Sequence, residues 1–267
     1  MITLSSDFGS PYPAAMKGVI LQETDARLVD VAHEFPRQDV RAAGFWLREI
    51  LPYFPPAVHL VVVDPGVGTE RSAVVVRAGG HALVGPDNGV LLPAARALAD
   101  GTLEIFEVAY ADPDPDEGGD PGRWPPVAES STFHGRDVFA PAAGRVHAAG
   151  VESFERREGF ARTECYEDLT LPEPTVEDDA AVGEAITVDG FGNVITNIPG
   201  DTLADRFGSH VKANGVWASA RRTYAAVDPG HRVVTVGSHG NVELAVNQGR
   251  GDDTFGVEAG NRIRLSW

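Results

Sequence analysis

Cysteine is almost missing from this sequence, and long apolar runs are missing altogether. Cys165 is the single cysteine, which excludes an internal disulfide and any zinc cluster built on cysteines. Glu164 and Glu167 lie beside it, and neighbouring carboxylates disfavour a reactive thiolate. No apolar stretch approaches the ~20 residues of a membrane-spanning helix, and the first residues lack the basic and apolar segments of a secretory signal. We therefore expect no membrane association and a cytoplasmic location.

Positive charge is also scarce, since 22 Lys and Arg stand against 39 Asp and Glu, for a net charge of −17. Lys17 and Lys212 are the only lysines. No basic patch for phosphate contacts is visible, which disfavours nucleic acid as a partner. The acidity has two interpretations: attraction of a cationic ligand, or solubility at very high salt as in halophilic proteins. The low lysine content favours the second interpretation.

The apolar patterns predict two domains. Residues 1–170 alternate short strands with helices, which indicates an α/β domain with a mainly parallel sheet flanked by helices. Residues 171–179 are expected to form a linker rich in proline and acids, and residues 109–128 a solvated acidic loop. Residues 180–267 carry short β-like runs separated by turn signals, which predicts a smaller all-β, barrel-like domain.

Carboxylates follow two of the predicted strands at the point where each strand ends. Asp7 follows ITLSS, and Asp64 follows AVHLVVV and opens the loop DPGVGTER, which carries Arg71. Because ligands bind at the carboxyl ends of strands in open α/β sheets, the two acids are candidates for one pocket. The alternative is that each aspartate only caps the turn that follows it.

Neither a phosphate loop nor a metal centre fits these residues. DPGVGTER lacks the Lys-Ser/Thr pair that closes a P-loop, and the eight histidines form no HxH or HxxxH pair, so we expect no metal. A magnesium site built on carboxylates alone is a weak alternative. His134 stands alone in the predicted loop STFHGRD, after Phe133. A lone histidine is more often structural. Together with Asp64 and Arg71, however, it has the groups needed to orient and polarise a water molecule.

Two turn-rich segments of the all-β domain are dense in side-chain amides. DGFGNVITN begins at Asp189 and includes Asn193, which can present a donor and an acceptor to a purine edge. A plain β-turn is the alternative for this segment. GSHGNVELAVNQG is a second turn–strand–turn segment, in which strand alternation predicts a solvent-facing Glu243.

Seven motifs follow one another from end to end of the chain: SDFGS, DVAHEFPRQDV, VVVDPGVGTER, VGPDNGVL, STFHGRDVFAP, DGFGNVITNI and GSHGNVELAVNQG. Together they resemble the S-adenosylmethionine hydrolases, or hydroxide adenosyltransferases, which are related to the bacterial fluorinase and chlorinase. The resemblance implies an N-terminal α/β domain, a C-terminal β-barrel and a homotrimer with sites between subunits, with no cofactor. It also implies the reaction, in which water or hydroxide attacks ribose C5′ of S-adenosyl-L-methionine and releases adenosine and L-methionine.

The resemblance also implies roles for individual residues. Asp64, Arg71 and His134 match the family's water-handling trio, and Asp7 matches the aspartate that holds the ribose diol. The further substrate contacts that we expect are an apolar wall, polar side chains of the second domain and a stretch of its backbone that contacts adenine. The wall is Phe133, Phe191 and Tyr224, the polar side chains are Asp189, Asn193, Ser238, His239 and Glu243, and the backbone stretch is Val246, Asn247 and Gln248. His239 stands where the fluorinase has arginine, so the methionine carboxylate is expected to be held differently.

Two other functions stay open on the sequence. A halide-dependent, chlorinase-like adenosyltransferase is disfavoured because Asp64 is present, and a carboxylate beside the nucleophile repels halide. A non-catalytic adenosine-binding protein is disfavoured because it does not need a complete trio of Asp, Arg and His.

Overall fold

The computed structural model describes residues 1–111, 124–126, 128 and 130–267. Two compact units make up the chain, Met1–Thr170 and Leu171–Trp267. The expected linker over residues 171–179 lies in the second unit, where Thr175–Val176 forms a short strand. Most of the acidic stretch 109–128 lies outside the described residues.

The first unit is built on one seven-stranded sheet. Its strands are β1 (Ile2–Ser6), β2 (Leu28–Ala32), β3 (Val58–Val62), β4 (Ala73–Ala78), β5 (His81–Pro86), β6 (Glu104–Val108) and β7 (Phe160–Thr163), in the order β2-β1-β3-β5-β4-β6-β7. The pairings β2–β1, β1–β3 and β3–β5 are parallel, whereas β5–β4, β4–β6 and β6–β7 are antiparallel. The sheet is therefore mixed, with its parallel half at the β1–β3 side.

Helices cover both faces of this sheet: α1 (Tyr12–Glu23), α2 (Val40–Ile50), α3 (Leu92–Leu98) and α4 (Ala140–Ala149). Strand β3 is buried on both sides, because Leu60 and Val62 pack into one apolar cluster and Val61 into another. The first cluster includes α1 and α4 residues, and the second includes α2 and α3 residues. Helix α2 begins after Asp39, whose carboxylate caps it by accepting the Ala42 N–H at 2.9 Å.

Short helical turns complete the first unit: 3₁₀ turns at Leu51–Tyr53 and Phe154–Arg156, and a π-helical turn at Gly135–Phe139 that leads directly into α4. The turn is wide, since the Ala140 N–H donates to the carbonyl of Gly135, five residues earlier. π-Turns inside helices are frequent at functional sites, and this one follows His134.

The second unit closes on itself. Its strands are β8 (Thr175–Val176), β9 (Ala180–Val188), β10 (Val194–Pro199), β11 (His210–Ala213), β12 (Val216–Ala220), β13 (Arg232–Val236), β14 (Asn241–Val246) and β15 (Arg262–Ser266), with helix α5 (Gly251–Phe255) and 3₁₀ turns at Gly200–Arg206 and Tyr224–Ala226. The pairing of β10 with β9 joins the two ends of the strand order and makes a seven-stranded barrel, while β8 adds to β9 from outside. Fully buried apolar residues such as Val194, Leu244 and Ile263 form its core. The predicted fold class, an α/β domain followed by a barrel-like all-β domain, is confirmed.

Among the described residues, no helix has both the length and the apolar character needed to cross a bilayer.

Candidate active site

A cleft of about 500 Å³ opens at the carboxyl ends of β1 and β3 in the first unit. We call it the strand-end cleft; Asp7, Phe8, Asp64, Phe133, His134 and Arg136 are among its lining residues. Because β1 and β3 are adjacent and parallel, the two residues that follow them, Asp7 and Asp64, reach the same edge of the sheet. The structure therefore brings the predicted strand-end acids into one cavity.

Asp64 is the buried acid of the cleft, with only 4% of its side chain exposed. Its Oδ1 accepts the Gly66 N–H at 3.0 Å and lies 3.1 Å from Nε of Arg71. Burial raises the pKa of the Asp64 carboxyl above its usual range, and the Gly66 hydrogen bond and the charges of Arg71 and His134 only partly offset that effect. A carboxylate with a raised pKa is a better proton acceptor near neutral pH than an ordinary aspartate.

Arg71 contacts Asp64 from outside the strand-end cleft, and its own surface lines a neighbouring depression with Asp87 and Glu167. Its Nη1 donates to the carbonyl of Asp87 at 3.0 Å, which fixes the guanidinium. The Nε–H points at no acceptor within the described part of the chain, so its contact with Asp64 is an ion pair rather than a directed hydrogen bond. Gly66 makes room for this side chain, since a Cβ there would lie 2.5 Å from Nη2.

His134 lies at the start of the π-helical turn and is 3% exposed. Its Nε2 is buried and has no hydrogen-bond partner among the described residues. A buried polar nitrogen without a partner is costly, so such an atom in a cleft is a candidate for binding a ligand or water. Gly135 allows the turn to lie close to the sheet, because a Cβ there would be 3.1 Å from the side chains of Met16 and Val62.

Asp137 and Arg136 hold the loop that carries His134, and neither residue was predicted from the sequence. Asp137 is 7% exposed, accepts the Ser130 N–H at 2.9 Å and forms an ion pair with Arg136. Arg136 in turn lies over the Phe133 ring, 5.6 Å from its centroid. The adjacent opposite charges in GRD, next to the histidine, were the available signal.

Asp7 is held by a backbone donor from the loop after β2. Its Oδ2 accepts the Gln38 N–H at 2.6 Å. Gln38 has a φ of 60°, which is unfavourable for a residue with a side chain. A carboxylate has further acceptor sites, so Asp7 keeps capacity for hydroxyl donors in the cleft.

Three aromatic rings form the apolar wall of the strand-end cleft. Phe133 packs edge-to-face against Phe8 and Tyr12, with ring centroids 6.0 and 5.5 Å apart, and Phe8 and Tyr12 are 5.9 Å apart. Phe133 was predicted to belong to this wall, whereas Phe8 and Tyr12 were missed. Phe191 and Tyr224, the other predicted wall residues, lie in the second unit.

The Asp189–Asn193 segment forms a tight turn in which its polar groups bind one another. Asp189 Oδ1 accepts the N–H groups of Phe191 at 2.9 Å and of Asn193 at 2.8 Å. Asp189 Oδ2 accepts Nδ2 of Asn193 at 3.0 Å. The turn leaves the Phe191 ring 81% exposed.

Glu243 is buried, at 5% exposure, and the prediction that it faces solvent is wrong. Alternation places Glu243 correctly on the face opposite the core residues Val242 and Leu244, but on that face Tyr224 and His239 cover its carboxylate. Its carboxylate accepts the Tyr224 hydroxyl and lies 3.0 Å from Nε2 of His239. Burial and the hydrogen bond to Glu243 raise the pKa of Tyr224.

His239 uses both ring nitrogens inside this cluster. Nδ1 accepts the Asn241 N–H at 3.2 Å, and Nε2 faces the Glu243 carboxylate. Since Nδ1 is an acceptor here and Nε2 is directed at Glu243, the ring is poorly placed to donate to a ligand carboxylate. Tyr224, which is 39% exposed, is the accessible member of the cluster.

The remaining predicted residues lie in loops beside β14. Asn247 Nδ2 donates to the Val227 carbonyl at 2.7 Å, so its side chain braces the barrel. Gln248 has a φ of 56° and turns the chain after Val246. Ser238 is exposed.

Both units match the same family of known proteins. The sequence profile described as "SAM hydroxide adenosyltransferase N-terminal domain" matches residues 2–156, and "SAM hydroxide adenosyltransferase C-terminal domain" matches residues 183–264. Curated relatives include the (R)-S-adenosyl-L-methionine hydrolases of Salinispora tropica, 38% identical over 99% of this chain and 97% of the relative, and of Thermus thermophilus, 40% identical over 97% of each.

Two solved structures share the fold over nearly the whole chain. An uncharacterized conserved protein from Thermotoga maritima superposes with a TM-score of 0.83 at 34% identity, covering 100% of both chains. A conserved hypothetical protein from Thermus thermophilus gives a TM-score of 0.74 at 34% identity, over 99% of this chain and 98% of that one.

Proposed function

Because this chain belongs to the SAM hydroxide adenosyltransferase family, we propose that it hydrolyses S-adenosyl-L-methionine to adenosine and L-methionine. The names of its curated relatives support this reaction. The observation that carries the proposal is a buried carboxylate, Asp64, in one cleft with a buried and unpartnered nitrogen of His134. These are groups that can hold and deprotonate a water molecule.

The reaction is an in-line displacement at carbon. The water oxygen forms a bond to ribose C5′ as the C5′–S bond breaks, and the electron pair of that bond returns to sulfur, which becomes the neutral thioether of methionine. The leaving group is already a sulfonium, so no acid has to protonate it. The site's task is to aim a weak nucleophile and to exclude competing water.

Within the trio, Asp64 is the base. Its raised pKa suits it to take the proton that the attacking water loses. Arg71, ion-paired with the same carboxylate, fixes its orientation and favours its charged form. His134 Nε2, which lacks a partner in the described chain, binds the water oxygen or its hydrogen.

The substrate's other groups find partners in the same cleft and in the barrel unit. Asp7 accepts the ribose hydroxyls, and the ring of Phe133 forms part of the apolar wall of the cleft. The barrel of a neighbouring subunit in a homotrimer contributes the remaining contacts: Asp189, Phe191, Asn193, Tyr224, Ser238 and the segment Val246, Asn247 and Gln248. Glu243 acts there by accepting the Tyr224 hydroxyl, and His239 by contacting the Glu243 carboxylate, rather than by binding the methionine carboxylate. The single, exposed cysteine suits an enzyme that works in a reducing cytoplasm.

One incubation tests the reaction. The protein is mixed with S-adenosyl-L-methionine, with and without molar chloride, and the products are separated by chromatography. We expect adenosine and methionine in both samples. 5′-Chloroadenosine would instead indicate a halide adenosyltransferase, and unchanged substrate would indicate a binding protein.

The trio is tested with substitutions in the same assay. Asp64→Ala and His134→Ala are each expected to lower kcat by about 10²–10⁴, the usual range for a lost acid–base group, with a much smaller effect on substrate binding. Glu34→Ala, an exposed carboxylate that does not line the cleft, is the control and should keep wild-type turnover. Weakened binding with unchanged turnover in both trio variants would place these residues in substrate binding instead.

A further inference from the structure

His33 holds the chain on both sides of Asp7. Its Nδ1 lies 2.7 Å from the Ser6 hydroxyl, and its carbonyl accepts the Gly9 N–H at 2.8 Å. Ser6 comes directly before Asp7, and Gly9 follows two residues after it. One residue of the β2 loop therefore fixes both ends of the short segment that presents Asp7 to the strand-end cleft.

The histidine ring is itself oriented from its far side. Nε2 lies 2.9 Å from Oδ1 of Asp30, and because a carboxylate can only accept, Nε2 carries the hydrogen of this bond. Nδ1 is then free to accept the hydroxyl of Ser6, which is fully buried. Lys17 of α1 holds Asp30 in place with a 2.6 Å ion pair. The result is a continuous chain of polar contacts from α1 through β2 to the end of β1.

The loop after His33 completes the clamp on the Asp7 carboxylate. Phe35 donates its N–H to the Ser6 carbonyl at 3.4 Å, and Gln38 donates its N–H to Asp7 Oδ2 at 2.6 Å. Gln38 does so from an unfavourable left-handed conformation, with a φ of 60°. A strained donor keeps its place only when the loop around it is held, and His33 and Phe35 both attach this loop to β1 through Ser6.

We propose that His33 is a positioning residue for substrate recognition: by gripping Ser6 and Gly9 and anchoring the loop that carries Gln38, it sets the direction of the Asp7 carboxylate toward the ribose diol. This inference rests on the proposed function, because it assumes a ribose in the strand-end cleft. His33 does not line the cleft, so it acts only through Asp7. Its effect is therefore expected in selectivity for the diol and not in the chemical step.

The test compares two probes, adenosine and 2′-deoxyadenosine, by titration calorimetry. The wild type is expected to bind adenosine at least about tenfold more tightly, because a hydroxyl bound to a charged group contributes that much. His33→Ala should reduce this preference to less than about threefold. Ser6→Ala and His33→Asn should give intermediate values, because each removes only one side of the bridge. Glu34→Ala, the exposed neighbour, is the matched control and should keep the wild-type ratio.

A double variant separates an effect through Asp7 from general damage. Asp7→Asn alone should remove most of the preference, and adding His33→Ala should change the ratio no further. A folded His33→Asn or Ser6→Ala protein that keeps the full wild-type preference would overturn the inference, as would a wild type without any preference. Adenosine release from S-adenosyl-L-methionine by the wild type is measured separately, so that failure of the reaction and failure of the His33 inference are distinguished.

Discussion

Adding one methyl group beside the catalytic trio, in Gly66→Ala, tests the arrangement of Arg71 without changing any charge. A Cβ at position 66 would lie 2.5 Å from Nη2, 2.6 Å from Nε and 2.9 Å from Cζ of Arg71. The φ of Gly66 is not in the left-handed region, so alanine fits the backbone and the strain falls on the arginine. The guanidinium has to move away from the 3.1 Å contact with Asp64.

The size of the movement follows from ordinary contact distances. Carbon and nitrogen atoms pack at about 3.5 Å, so the guanidinium must shift by roughly 1 Å. Displacements of about 1 Å near a reacting centre cost up to ~10²-fold in rate, so we expect kcat/KM to fall by roughly 10- to 100-fold. Because the charge of Arg71 lowers the pKa of Asp64, moving it away raises that pKa further. Asp64 works as a base only when ionised, so the acid limb of the activity profile should move to higher pH.

The assay is adenosine release from S-adenosyl-L-methionine across a pH series, with the melting temperature measured on the same samples. Gly18→Ala is the control, since an added Cβ there has no neighbour within 4 Å and lies on the exposed side of α1. It should keep full activity and gain about 1 kcal/mol of helix stability. A folded Gly66→Ala protein with wild-type kcat/KM and an unmoved acid limb would refute the role given to Arg71.

Two further predictions concern the protein's response to acid and to salt. His59, bonded to Thr3 and His81 in the core, has its pKa lowered from 6.5 to about 3 by burial and by the charge of His81. Between these two pH values the unfolded chain binds a proton at His59 and the folded chain does not. The free energy of unfolding should therefore fall by about 1.4 kcal/mol for each unit that the pH is lowered, and urea titrations of His59→Gln should show a smaller loss of stability with acid. Each chain carries a net charge of −17, and repulsion between such chains opposes association until salt screens it. We therefore propose that trimer mass and activity rise together as the salt concentration increases. Light scattering on assayed samples checks this, and full activity at monomer mass would contradict a site shared between subunits.

The meeting of Asp7 and Asp64 in one cleft could be predicted from sequence because it depends only on strand order. Each acid follows a predicted strand, and adjacent parallel strands bring their carboxyl ends together. The clamp of His33 could not be predicted in the same way. It depends on side chains 27 residues apart in the chain, and VAHEF gives no local sign that the ring reaches Ser6.

The sequence contained a sign that the sheet is mixed, although the alternation of strands and helices suggested a mainly parallel sheet. Gly79 and Gly80 separate β4 from β5, and two glycines between β-like runs are typical of a hairpin. A hairpin forces antiparallel pairing, whereas a mainly parallel sheet was predicted for the whole domain. The burial of Glu243 had no such signal, because it depends on contacts of its carboxylate with Tyr224, 19 residues away in the chain, and with His239.

Because of the π-helical turn at Gly135–Phe139, the direction of the His134 side chain depends on the number of residues between it and α4. An α-helix rotates by about 100° for each residue. The Ala140 N–H donates to the carbonyl five residues earlier, so the turn holds one residue more than a regular α-helical turn. His134 is therefore rotated about the helix axis by roughly 100° from the position that a regular extension of α4 would give it. Substitutions preserve this phase because they leave the residue count unchanged. Loss of a single residue would let the turn relax to α-geometry, keeping α4 on the sheet while rotating His134 out of line with Asp64.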